Sequence, residues 1–172
     1  DAGDVQANGF QIVEDDRLGR SYSETGASYM GWAVSALLAT ALSSKPFYGL
    51  AISGDGSFTM NPQILIDGTT HGARGCILLL DNRRMAAITG LQMAQYGAEY
   101  ATGDGTAVDY VAWARAIPGV AALDGGRTPA NTRYPIIQWT VPLTDADGRL
   151  TCGAHALDSG DGAVKTRYTD PS

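Results

Sequence analysis

Asp55 stands between two glycines directly after an apolar run, and Asn82 ends the next apolar run. A carboxylate and a carboxamide of this kind are hard oxygen donors. With a loop carbonyl they suit Mg²⁺ or Ca²⁺, and Mg²⁺ in particular combines few protein ligands with phosphate oxygens and water. Gly54 and Gly56 let a ligand approach the backbone because neither carries a Cβ. The amides of Gly56 and Ser57 lead into a helix start, where N–H groups can receive an anion such as a diphosphate. A carboxylate among anion-binding amides makes sense when a cation bridges the two. The competing reading is a plain turn, because Gly-Asp-Gly occurs again at Gly103-Asp104-Gly105. No apolar strand precedes that second copy, so it reads as a loop.

These residues need a scaffold, and the composition supplies one. The 172 residues are 44% hydrophobic and 17% charged, enough for one packed domain and too apolar for a disordered tail. The formal charge is −6, and only Arg83 and Arg84 stand together, which excludes a phosphate-backbone binder; no nucleic acid is expected. The longest apolar and small stretch, residues 31–42, is far short of the roughly 20 residues that span a bilayer. No membrane segment and no export leader are expected, and the localisation expected is cytoplasmic. The chain opens on Asp1 instead of Met, which points to a fragment or a processed product.

Along the chain, Phe10-Gln11-Ile12-Val13 reads as a short first strand, and residues 31–42 as a helix buried on most sides. A buried strand over 47–52 follows, then a helix opened by Asn61-Pro62 and stopped at Gly72. A second strand covers 76–80, a helix covers 85–96 up to Gly97, and an amphipathic helix covers 108–116. Strands over 120–123 and 135–141 complete the pattern. Strands alternating with helices predict an α/β fold, a doubly wound and mainly parallel sheet with helices on both faces. Ligands in such sheets sit outside the carboxyl ends of the strands, where Asp55 and Asn82 fall. Residues 1–143 form the predicted domain, and 144–172 a tail of uncertain structure. Trp32, Trp113 and Trp139 read as core, Cys76 as a small buried hydrophobe, and His71, near a helix end, as structural or surface. Cys152 and His155 make a weak metal signal.

Gly54-Asp55-Gly56, a gap of 25 residues and Asn82 resemble the signature of thiamine-diphosphate-dependent enzymes, in their C-terminal diphosphate-binding domain. Residues 26–31 resemble the glycine-methionine-glycine entry of acetolactate-synthase-like enzymes, with Ser28 replacing the first glycine. The stretches GDGSF, LLLDN and ITGLQM are most similar to the cyclic-dione hydrolases of that superfamily, trihydroxycyclohexanedione hydrolases among them.

The resemblance implies roles. Asp55 and Asn82 would hold Mg²⁺ through side chains and Arg84 through its carbonyl. Gly54, Gly56 and Ser57 would cradle the diphosphate of the thiamine diphosphate cofactor. Met30 would wedge the cofactor into a bent shape, and the Ser28 carbonyl would meet its aminopyrimidine. Arg83-Arg84 departs from the small residues usual in this loop. The glutamate that activates the cofactor in these enzymes belongs to a separate pyrimidine-binding domain, and none of Glu14, Glu24 and Glu99 sits in a matching context. No catalytic residue is therefore expected in this chain. The implied partner is a pyrimidine-binding domain or subunit, in a homo- or hetero-oligomer. The implied activity is on a C–C bond beside a carbonyl, as in 2-oxo acid decarboxylases, carboligases or cyclic-dione hydrolases. The alternative is a non-catalytic α/β module that keeps the fold without the cofactor.

Overall fold

The computed structural model describes residues 1–15, 17–45, 47–103, 106–127 and 132–139. Four strands form one sheet: β1 (Gly49–Gly54), β2 (Gly75–Leu80), β3 (Val120–Arg127) and β4 (Arg133–Trp139), in the order β1-β2-β4-β3. β1 and β2 run parallel, whereas β4 is antiparallel to both of its neighbours, so β1, β2 and β3 point one way. The class expected from sequence, α/β, holds. The reversal of β4 has a simple cause. Only five residues separate Arg127 from Arg133, and a parallel return needs a crossover of about a dozen or more.

Apolar side chains alternate along β2, where Gly75, Ile77 and Leu79 are buried, and the core gathers them with Phe58, Ile64, Leu65, Ile137 and Trp139. Each large side chain fully buried in this way contributes roughly 1.5–3 kcal/mol. Helix α5 (Ile64–His71) packs on β4 through Gly68, which leaves room for the Trp139 ring; the indole N–H donates to the Leu65 carbonyl at 3.3 Å. Its stop at Gly72, with φ of 72°, matches the expected left-handed cap. Helix α6 (Ala86–Tyr96) ends in the same way at Gly97, and α7 (Tyr110–Arg115) is capped by the Asp109 carboxylate, which accepts from the Ala112 N–H at 2.9 Å.

Four expectations change. Residues 10–13 do not form a strand; Asp4–Ile12 is helix α1, with Asp4 favourably placed in its first turn. Phe10 and Ile12 remain exposed on it, so neither has a sheet partner. The run 31–42 is two short helices, α2 (Trp32–Ala36) and α3 (Ala39–Leu42), joined by tight i to i−3 turns at Leu37 and Leu38. It buries one stripe, Val34, Leu37 and Thr40, and leaves Leu42 in solvent. Trp113 is half exposed, although it stacks on Tyr110 and meets the edge of Phe58. Cys76 is half-buried. His71 lies exposed in the last turn of α5, as read from sequence. The tail from 144, Cys152, His155 and most of the second Gly-Asp-Gly lie outside the described residues.

Among the described residues, no helix is long and apolar enough to cross a membrane.

Candidate functional site

The register Gly54↔Leu80 ends both parallel strands at the same level, so the next residues, Asp55 and Asp81, stand side by side at the carboxyl ends. Both are buried, 3% and 4% exposed, on the same phase of the alternation as Ser53 and Leu79. Asp55 opens a four-residue helix, α4 (Asp55–Phe58). Burial, and then the negative charge of Asp81, push the Asp55 carboxyl up to about 6, against amide hydrogen bonds from Gly56 and Arg83 that pull it down. The Arg83 N–H donates to Asp55 Oδ2 at 2.9 Å and joins the two strand ends.

That bond needs an unusual backbone: Arg83 has φ of 52°, the left-handed region that non-glycine residues seldom adopt. Asn82 Oδ1 supports the turn by accepting from the Arg84 N–H at 2.9 Å. Beyond it the chain folds back. Arg84 bridges Gly103, the Met85 N–H donates to the Thr102 carbonyl at 2.8 Å, and Thr89 pairs with Thr102 at 2.7 Å. The Arg84 guanidinium reaches Glu99 at 3.3 Å in an exposed pair of little energetic weight. Its carbonyl accepts from the Ala86 N–H at 3.0 Å and keeps a second lone pair. Arg83 lines a cavity of about 170 Å³ with Asp81, Asn82, Arg127 and Arg133.

The loop 26–31 meets α4 at Gly56 and Ser57, through Met30 and Gly31. The Glu24 carboxylate gathers the amides of Gly26, Ala27 and Tyr29 at 2.7, 3.0 and 2.9 Å, and these bonds hold its carboxyl below the usual range. Ser28 sits in this turn with φ of 53°. At Gly31 the loop joins α2: the Asn61 amide donates to Ser35 Oγ, which donates to the Gly31 carbonyl. The Asp1 carboxylate accepts from the Gly31 N–H and the Ser53 hydroxyl. Met30 is thereby set against α4, its Cε 3.4 Å from where a Cβ on Gly56 would stand.

The structure thus brings Asp55, Asn82 and Arg84 together through the turn at Arg83, and Gly56 together with Met30. Gly54 closes β1, and Ser57 is buried within α4. Ser28 is tied to Glu24 and not to Asp55. The Gly56 N–H is directed at the Asp55 carboxylate. Reasoning from sequence placed Asp81 beside Asn82 at a strand end but gave it no role; the parallel register is what pairs it with Asp55. It also missed Glu24 as the anchor of its loop, where the small residues Gly26-Ala27-Ser28 just after it were the available signal.

A divalent cation fits this donor set. Two buried carboxylates converge, one of them with an oxygen, Asp81 Oδ1, that has no hydrogen-bond partner. Among the described residues no group of three or more His, Cys, Asp and Glu could hold a metal, so the remaining donors must be neutral oxygens. Asn82 and the Arg84 carbonyl are such donors, and the set matches a hard cation.

Residues 1–133 match the thiamine pyrophosphate enzyme, C-terminal TPP-binding domain. The chain belongs to this family. Over 100 residues, 58% of its length, the chain is 37% identical to a 3D-(3,5/4)-trihydroxycyclohexane-1,2-dione hydrolase of Lacticaseibacillus casei. It spans 15% of the length of that relative. No solved structure matches it.

Proposed function

We propose that this TPP-binding domain holds the diphosphate of thiamine diphosphate through Mg²⁺, within an enzyme that acts on a C–C bond adjacent to a carbonyl. The observation that carries the reading is the Arg83 N–H to Asp55 hydrogen bond, which makes one oxygen-donor cluster of two strand ends. Asp55, Asn82 and the Arg84 carbonyl would hold the cation. A cation on Asp55 would draw its carboxylate from the Gly56 N–H and free that amide, with Ser57, for the diphosphate. Met30, packed over Gly56, would set the bend of the cofactor, and Ser28 would stand nearer its pyrimidine end. When bound, the cofactor supplies the electron sink for making or breaking the bond, while the protein orients it.

The similarity to a cyclic-dione hydrolase favours a hydrolase of that kind over a decarboxylase or carboligase. Glu24 is committed to its own loop, which leaves the activating glutamate to a pyrimidine-binding domain or partner chain, in a homo- or hetero-oligomer. The engaged Arg83-Arg84 turn argues against a module that has lost the cofactor, because its backbone faces Asp55.

Nuclear magnetic resonance on thiamine diphosphate tests both halves of the reading. With Mg²⁺ and the chain, the phosphorus resonances shift or broaden, while deuterium exchange at the thiazolium carbon stays at its solution rate. Unmoved phosphorus resonances would overturn the binding role. Accelerated exchange by this chain alone would overturn the missing activating end.

A further inference from the structure

We propose that Asp81 is a second carboxylate of the cation site, so that the metal is held by an Asp55–Asp81 pair and not by one carboxylate alone. The inference rests on the functional reading above and goes beyond the ligands that the resemblance implies, which do not include Asp81.

Three observations converge on it. The register Gly54↔Leu80 sets Asp55 and Asp81 abreast, and the shared phase of burial turns both side chains to the same face. Asp81 cannot easily move away, since its backbone exchanges two hydrogen bonds with Arg133, 2.7 Å from its N–H and 2.9 Å to its carbonyl. Its Oδ1 is buried and has no hydrogen-bond partner. A buried polar atom in that state costs roughly 1–3 kcal/mol, more when charged, so it calls for a partner.

The nearby cations do not supply one. The Arg133 guanidinium is held by Asp124 at 2.9 Å, and Arg83 meets Asp55 through its backbone. Both line the cavity beside Asp81 and soften its field, yet neither hydrogen-bonds to Oδ1. Two like charges forced together in a low-dielectric site repel each other, and a divalent cation between them turns that repulsion into attraction at both oxygens. Asp81 therefore acts on the metal either directly or through one metal-bound water, and it makes the site more negative by one charge than Asp55 and Asn82 alone.

Manganese paramagnetic resonance tests this with Mn²⁺ and thiamine diphosphate at neutral pH, on the chain and on Asp81→Asn, Asp81→Ser and Asp55→Ala. The expected result is at least a tenfold loss of Mn²⁺ affinity in Asp81→Asn, with a metal-free thermal midpoint equal to or above that of the parent. A merely structural Asp81 would lower that midpoint. Parent-like Mn²⁺ affinity in Asp81→Asn overturns the inference. So does a loss of affinity that comes, in both Asp81 variants, only with a lowered metal-free midpoint. In these cases Mn²⁺ binding that still depends on Asp55 leaves the functional reading intact. Absence of Asp55-dependent binding in the parent overturns that reading and this inference together.

Discussion

Two glycine-to-alanine substitutions in helices should shift stability in opposite directions. Gly90 lies exposed in α6, and a Cβ there meets nothing within 4 Å. Gly90→Ala should therefore gain helix propensity, up to about 1 kcal/mol. Gly68 lies buried in α5, where a Cβ would fall 2.3 Å from two ring carbons of Trp139 and 2.5 Å from its Nε1. The ring cannot retreat, because Trp139 is 3% exposed and its N–H is bonded to the Leu65 carbonyl. Overpacking costs typically 1–3 kcal/mol and a lost hydrogen bond about 1 kcal/mol. Against these the propensity gain of about 1 kcal/mol leaves Gly68→Ala destabilised by roughly 1–3 kcal/mol. At about 2–4 °C per kcal/mol for a chain of this size, the midpoint should fall by about 2–12 °C. Urea unfolding followed by far-ultraviolet circular dichroism and by tryptophan emission measures both variants. A Gly68→Ala protein as stable as Gly90→Ala would refute the packing of α5 on β4.

Other outcomes follow from the site. The Asp55 carboxyl titrates near 6, raised from 3.8 by burial and then by Asp81, so a proton competes with the metal below pH 6. Mn²⁺ affinity measured without cofactor should fall about tenfold from pH 7 to pH 5, since metal binding must displace that proton; a flat profile would contradict the shift. The same raised value means that ionising Asp55 costs the metal-free fold stability, a penalty that grows as pH rises from 3.8 through about 6. Thermal midpoints of the parent and Asp55→Asn should accordingly diverge in favour of the variant across that range. Glu24→Gln should weaken thiamine diphosphate binding by loosening the 26–31 loop, with little change in thermal midpoint; calorimetry and a melting curve separate the two effects. Burial pushes the Cys76 thiol up to about 11, so native protein should react slowly with a thiol reagent at pH 8 and quickly once unfolded.

Much of the scaffold was legible in residue order because local signals agreed with the fold. The apolar runs at 47–52 and 76–80, the glycine stops at 72 and 97 and the apolar periods between them all appear as elements close to their expected bounds. What failed depended on partners distant in sequence. Phe10–Val13 has strand-like residues but no neighbouring strand to pair with, so the helix begun at Asp4 runs through it. The direction of β4 turned on the length of one connection. At the site, the spacing of Asp55 and Asn82 could be read directly, whereas the pairing of Asp55 with Asp81 exists only through the sheet register. The left-handed turn at Arg83 was likewise hidden, since arginine gives no local sign of a positive φ.

Isothermal titration of the chain with thiamine diphosphate, in Mg²⁺ and again in excess chelator, tests the central claim most directly. Binding should appear only with Mg²⁺, be weak on the proposed reading that another domain or chain holds the pyrimidine end, and vanish in Asp55→Ala. No heat at millimolar cofactor with Mg²⁺ present, or binding indifferent to both the metal and Asp55, would contradict a cation-bridged diphosphate site at these two strand ends.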